Sequence, residues 1–148
     1  MRDCVIRRAE QTDVPQLCML ETECFSCPWS ETAFSDTMSG DGAVFLVCEG
    51  ADGKCIGYIG AVCTLDECSV TNVCVSAEYR GQGIGNALMA ALEQKVLSCG
   101  CNAVFLEVRV SNAAALSMYE KRGYERCGVR RGFYSHPRED ALVMKKEL

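Results

Sequence analysis

Three side chains in the second half of the sequence are of kinds that can move protons or hold a ligand. Glu107 stands inside the run VFLEVRV, where strand alternation sets Val104, Leu106 and Val108 on one face and Phe105, Glu107 and Arg109 on the other. A carboxylate among such neighbours is costly unless it is paired or used. It can pair with Arg109 or another cation, or act as a general base, directly or through water. Asn112 and Tyr119 are seven positions apart, about two helical turns, so they share one face with Ala115 and Leu116 between them. Tyr119 is either a core residue with a satisfied hydroxyl or a proton donor, because a phenol of pKa about 10 is protonated at neutral pH.

A fourth feature is EYRGQGIGNALM, with three glycines in five residues after an apolar run and before an amphipathic stretch. A strand, a glycine turn and a helix start make an anion site, since unpaired N–H groups and the helix dipole point the same way. The dinucleotide fingerprint GxGxxG fails, because counting from Gly81 the sixth position is Asn86, and from Gly83 it is Leu88. No GK[ST] follows, so a nucleoside triphosphate lacks its lysine and its magnesium hydroxyl. A tight turn of purely structural purpose remains the alternative.

The elements that must hold these residues can be read from pattern. CVIRRA at 4–9 predicts a strand. Thr12 or Asp13 can cap a helix with Pro15 in its first turn, running to about Phe25. Ser30 offers a cap for a short helix through Phe34 toward Met38. Strands follow at 43–49, 54–65 and 68–76, the first two joined by the turn ADG. After the glycines, Ile84, Leu88, Ala91, Leu92 and Cys99 form an apolar helical face, with Glu93, Lys95 and Ser98 elsewhere and Gly100 as the stop. A strand at 103–110, a helix capped by Ser111 or Asn112 and stopped at Gly123, and two strands around the turn SHPRE complete the chain. The order is βααβββαβαββ, a mixed α/β domain over 1–148 with an antiparallel part and a strand–helix–strand crossover.

Composition narrows the function classes. A length of 148 residues fits one domain, and no apolar window approaches the ~20 residues that cross a bilayer. The first residues carry charges at Arg2, Asp3, Arg7, Arg8 and Glu10 rather than a signal-like apolar core, so the expected compartment is the cytoplasm. A net charge of −5 argues against a phosphate-driven nucleic-acid binder. Many of the twelve cysteines, such as Cys48, Cys55, Cys63 and Cys74, lie in apolar runs and read as reduced core or loop thiols. The pairs Cys24/Cys27 and Cys99/Cys101 are too short of partners for a metal or redox site, so no metal is expected. His136, the single histidine, reads as a turn residue.

Arg80-x-x-Gly83-x-Gly85 resembles the R/Q-x-x-G-x-G/A loop of the GNAT acetyltransferases, which wraps the pyrophosphate of acetyl-CoA. VCVSAEYRGQGIGNAL, LEVRVSNAAALSMYEKRGY and RRGFYSHPREDALVM resemble consecutive segments of the RimI-type branch of that family, bacterial enzymes that acetylate the N-terminal alanine of a small-subunit ribosomal protein. CFSCPWSE resembles the branch's Pro-Trp-Ser signature, although Phe25 stands further from Pro28 than in some members. The resemblance spans essentially the whole chain. It implies a GNAT fold, a mixed sheet of about seven strands flanked by four helices, and acetyl-CoA as co-substrate without a metal. It implies that Arg80, Gly81, Gln82, Gly83, Ile84, Gly85 and Asn86 cradle the pyrophosphate. Val73, Cys74 and Val75 would offer backbone N–H groups, and Asn112 would meet the pantetheine arm. Glu107 becomes the general base and Tyr119 the general acid.

Attack on a thioester needs a neutral amine, and at pH 7 roughly a tenth of an α-amine is neutral against less than about a thousandth of a lysine. One carboxylate is sufficient for the easier amine. An acetyl-cysteine intermediate is disfavoured, since no histidine accompanies a thiol in the sequence pattern and the family transfers directly. Pro28 and Trp29, with Phe133 and Tyr134, are candidates to line a peptide groove or are ordinary half-buried aromatics. The expected acceptor is a protein N-terminus, with a lysine or small-amine acetyltransferase, or a non-catalytic acyl-CoA sensor, as the alternatives.

Overall fold

The computed structural model describes residues 4–148, so Arg2 and Asp3 of the charged N-terminal stretch lie outside the described residues. The elements are β1 (Val5–Arg8), α1 (Val14–Cys24), α2 (Glu31–Met38), β2 (Ala43–Glu49), β3 (Cys55–Thr64), β4 (Glu67–Val75), α3 (Ile84–Ser98), β5 (Ala103–Arg109), α4 (Ala113–Lys121), β6 (Glu125–Ser135) and β7 (Arg138–Glu147). Their order is the one read from the sequence. Ser30 Oγ accepts the Ala33 N–H at 3.1 Å to start α2, and Asn112 Oδ1 accepts the Ala115 N–H at 3.2 Å to start α4. Gly100 and Gly123 follow α3 and α4 at φ +99° and +96°, a conformation that disfavours a side chain and so stops each helix.

Asp13 departs from expectation. It occupies the N-cap position of α1, but its carboxylate caps nothing in that helix. It turns back to the Arg7 guanidinium, 2.9 Å from both Nη atoms, and to the Glu10 N–H at 2.7 Å. A bidentate charged partner wins over a neutral cap. The Arg7 hydrogen bonds hold the Asp13 carboxyl below its ordinary pKa, against the opposing effect of burial.

The strands form one sheet in the order β1-β2-β3-β4-β5-β7-β6. Every neighbouring pair is antiparallel except β4–β5. Alternation along β2 sends Phe45 and Val47 to one face and Leu46 and Cys48 to the other, which divides the core into two layers. Val14, Leu17 and Leu20 of α1 and Phe34 of α2 cover the first face. Ile84, Leu88, Met89, Leu92 and Val96 of α3, with Leu116 and Tyr119 of α4, cover the second. No helix among the described residues is long and apolar enough to cross a membrane.

Three sequence expectations are corrected by packing. Glu93 is buried, not on the polar side of α3: it accepts from Arg122 Nη2 (2.6 Å), Lys146 Nζ (2.9 Å) and Tyr124 Oη (2.9 Å). Burial alone would raise its pKa, but these donors outweigh burial and hold it low. Cys99, placed with the apolar face, is exposed just beyond the end of α3. Cys24 and Cys74 are not reduced: they form a disulfide with Cα atoms 6.4 Å apart, because the end of α1 crosses β4 and brings together residues 50 positions apart. The other ten cysteines are free.

Candidate active site

The site begins where the sheet comes apart. β4 and β5 pair only through Glu67–Ser69 and Ala103–Phe105. Beyond that, β5 stays with β7 and β4 stays with β3, and the two strands diverge. The gap opens into a cleft of about 760 Å³. Its walls are Ser69–Val73 of β4, Leu106–Arg109 of β5, and Asn112, Ala115 and Tyr119 of α4. Its mouth is bordered by Cys24–Cys27 and Trp29 on one side and Phe133–Pro137 on the other.

Backbone direction along β4 follows from one bond. Ser76 donates its N–H to Ile56 O on β3 at 2.8 Å, so by antiparallel alternation Cys74, which pairs with Tyr58, also faces β3. Val73 and Val75 therefore turn their N–H and C=O groups to the open edge. The Val75 C=O on that side accepts from Arg80 Nε at 3.1 Å. Cys74 is buried against α1 and is not on the cleft wall. Of the three residues expected to offer N–H groups, the outer two are oriented to do so.

The glycine loop continues from this edge. Gly81 and Gly83 have φ +78° and +83°, and nothing lies within 4 Å of the place a Cβ would take on either. Glycine is required there for conformation, and the bare backbone leaves room for a close approach. The first i→i−4 bond of α3 runs from Ala87 N–H to Gly83 O at 3.0 Å, so the N–H groups of Ile84, Gly85 and Asn86 precede the helical ladder. Ile84 buries its side chain in the core and fixes the first turn, while Asn86 Oδ1 is held by Arg122 Nη1 at 3.0 Å. Gln82 is exposed, its Nε2 3.5 Å from Glu78 O. Arg80 is exposed, its guanidinium turned onto the end of β4 with Nη2 3.3 Å from Cys24 Sγ. These residues lie outside the cleft itself, at the end of its open edge. An outward row of N–H groups beside one arginine fits a pyrophosphate, and the N–H groups of Val73 and Val75 fit the amides of a pantetheine arm.

Glu107, Asn112 and Tyr119 all face the cleft. The Glu107 side chain is 27% exposed and its carboxylate lies 3.4 Å from Arg130 Nε, a loose pair on the solvent side. Arg109, named as its possible partner, is bound to Glu139 instead at 3.1 Å. Tyr119 is buried, and burial with Tyr134 nearby pushes its pKa up to about 12, so its proton is held firmly. Asn112 uses its Oδ1 in the helix cap, which leaves its amide NH₂ for a ligand. A carboxylate, a protonated phenol and aligned N–H groups around one cleft can take a proton from a nucleophile, return one to a leaving group and steady an oxyanion.

The acceptor-side candidates separate. Trp29, Phe133 and Tyr134 line the cleft, whereas Pro28 is exposed beside it. Tyr134 lies under the Arg109 guanidinium at 4.3 Å and meets Phe133 edge-on at 5.0 Å. One further residue was not singled out by sequence, and His136 has a contact beyond the turn role read for it. Glu21 of α1 is buried on the cleft wall and accepts from Asn72 Nδ2 (3.0 Å), the Trp29 N–H (3.0 Å) and the Tyr58 hydroxyl. It pins the loop before α2 to β3 and β4, and it raises the Tyr58 pKa, after burial itself. The only sequence signal was a carboxylate four places after Leu17 on the apolar stripe. His136 does occupy the β6–β7 turn, but its Nδ1 also lies 3.3 Å from the thiol of Cys27, 109 positions away. Separation of that size hides the contact from any local pattern.

Comparison with known proteins agrees with this geometry. The Acetyltransferase (GNAT) family profile matches residues 14–124. The [ribosomal protein bS18]-alanine N-acetyltransferase of Escherichia coli K12 is 33% identical over 141 residues, covering 94% of this chain and 94% of that protein. The crystal structure of the ribosomal-protein-S18-alanine N-acetyltransferase from Escherichia coli superposes with a TM-score of 0.90 at 32% identity, over 97% of this chain and 93% of the other. Ard1 from Thermoplasma volcanium, at 22% identity, shares the fold with a TM-score of 0.89, over 99% and 98% of the two chains. With the splayed β4–β5 pair, the glycine loop and the family profile all in register, the chain belongs to the GNAT acetyltransferase family and is an acetyl-CoA-dependent N-acetyltransferase.

Proposed function

We propose that this enzyme acetylates the N-terminal α-amino group of a protein, and that its physiological acceptor is a small-subunit ribosomal protein beginning with alanine. The observation that carries the reading is the single cleft in which Glu107 and Tyr119, from β5 and α4, face the open edge of β4. The ribosomal acceptor is supported by the activity named for two Escherichia coli relatives that match more than nine-tenths of this chain.

Acetyl-CoA supplies the activated acyl thioester, with its pyrophosphate at Arg80–Asn86 and its pantetheine arm along Val73, Val75 and Asn112. Glu107 takes the proton of the incoming amine, directly or through water. Tyr119 holds the proton needed where the leaving sulfur stands. Phe133, Tyr134 and Trp29 close over the acceptor residues and exclude water. Transfer is direct, and an α-amine of pKa near 8 asks little of one carboxylate at neutral pH. The place of action is the cytoplasm, where ribosomal proteins and acetyl-CoA meet.

The test is CoA release from acetyl-CoA with a peptide beginning Ala-Arg. The free peptide is expected to turn over and the same peptide with a blocked N-terminus to be inert. Equal rates on a blocked peptide that carries lysine would replace the α-amine with a side-chain amine.

A further inference from the structure

The mouth of the cleft holds a second nucleophile that direct transfer does not use. Cys27, in the loop after α1, places Sγ 3.3 Å from His136 Nδ1, and Ser135 Oγ lies 3.0 Å from the same nitrogen. Other bonds hold this meeting of two distant loops in place. Ser26 donates its hydroxyl to His136 O, and Arg109 donates to Pro137 O at 2.9 Å and to His136 O at 3.5 Å. Arg109 is two residues from Glu107 on the same face of β5, so the thiol–imidazole pair is tied to the strand that carries the base. Cys27, Ser135 and His136 line the same cleft as Glu107 and Tyr119.

No other free cysteine is placed this way. Cys48, Cys55, Cys68 and Cys101 are buried, and burial raises the pKa of each. Cys99 and Cys127 are exposed, like Cys27, but the chain has only one histidine. An exposed thiol within reach of an imidazole is the arrangement that activates sulfur for acyl transfer.

We propose that Cys27 is a second acyl acceptor, S-acetylated by thioester exchange with acetyl-CoA and with His136 moving the proton. This rests on the reading that the cleft receives acetyl-CoA. His136 Nδ1 takes the thiol proton and the Cys27 sulfur forms a bond to the acetyl carbonyl carbon. The bond from that carbon to the CoA sulfur breaks, its electron pair leaves with that sulfur, and the proton on His136 goes to it. One thioester is made and one broken, with no change of oxidation state. The acetyl group then stands in the mouth through which an acceptor peptide must enter.

The experiment incubates the full chain with acetyl-CoA, quenches in acid and maps acetyl groups by fragment mass spectrometry. Cys99 and Cys127 serve as internal controls, and a parallel tube contains the Ala-Arg peptide. Cys27 is expected to acquire acetyl at least about a hundredfold faster than either control. His136→Ala, checked for folding by circular dichroism, is expected to remove that advantage. Iodoacetamide without acetyl-CoA should rank the three thiols in the same order. If Cys27 reacts no faster than the controls while the peptide is acetylated, the proposal falls and the enzyme's function stands. If the peptide is inert as well, both fall.

Discussion

The proposed donor and acceptor sides of the site are built by different means. On the proposed donor side the groups on offer are backbone: the N–H groups of Val73 and Val75 on an unpaired strand edge, and those of Ile84, Gly85 and Asn86 ahead of a helix. At the acceptor end they are side chains from separate stretches of sequence, such as Trp29 and Cys27 meeting Phe133, Tyr134 and His136. A backbone site recognises what every acetyl-CoA has in common and tolerates many sequences around it. A side-chain site can be altered residue by residue, which suits the half of the reaction that must choose a partner.

That contrast can be broken at several points. The largest effect is expected where the ends meet: Glu107→Gln should lower kcat/KM about 10²–10⁴-fold at pH 7. The loss should shrink at pH 9, where an α-amine is already largely neutral, and CoA release across pH measures both. A loss that is the same at every pH would make Glu107 a positioning residue. Tyr119→Phe should slow transfer about a hundredfold while calorimetry shows acetyl-CoA binding unchanged. With its pKa raised to about 12 by burial and Tyr134, Tyr119 stays protonated below that value, so wild-type activity should hold at pH 10. An ordinary tyrosine would be about half ionised there, and a fall in rate centred near pH 10 would contradict the buried acid.

A smaller effect is expected at the loop. Gly83→Ala meets no atom, but at φ +83° it carries a left-handed penalty of about 1–2 kcal/mol and sets a methyl group beside the N–H row. The KM for acetyl-CoA should rise roughly tenfold with the peptide KM unchanged. Phe133→Ala should give the reverse, a peptide KM raised about threefold at constant acetyl-CoA affinity, since Phe133 is half exposed and contributes little buried area. Either variant moving both constants together would mean that the two ends are not separable.

The same division explains what could be read in advance. The element order, the glycine loop, the Asn112–Tyr119 face and the placement of Glu107 rest on spacings of seven residues or fewer or on strand alternation, and they survive folding unchanged. The burial of Glu93 was hidden because Arg122 and Lys146, which make it tolerable, are 29 and 53 positions away. The Cys24–Cys74 bond needs the crossing of α1 over β4, and the Cys27–His136 contact needs two loops to meet. The role of Glu21 was hidden for the same reason, because its partners Asn72 and Tyr58 arrive from two strands of the sheet. Contacts of that kind depend on tertiary placement, which no local period encodes.

The most direct test of an N-terminal acetyltransferase with a ribosomal acceptor is mass spectrometry of ribosomal-protein N-termini from cells with and without the gene. One small-subunit protein beginning with alanine is expected to be acetylated in the first and to carry a free amine in the second. Identical N-terminal acetylation in both would contradict that acceptor.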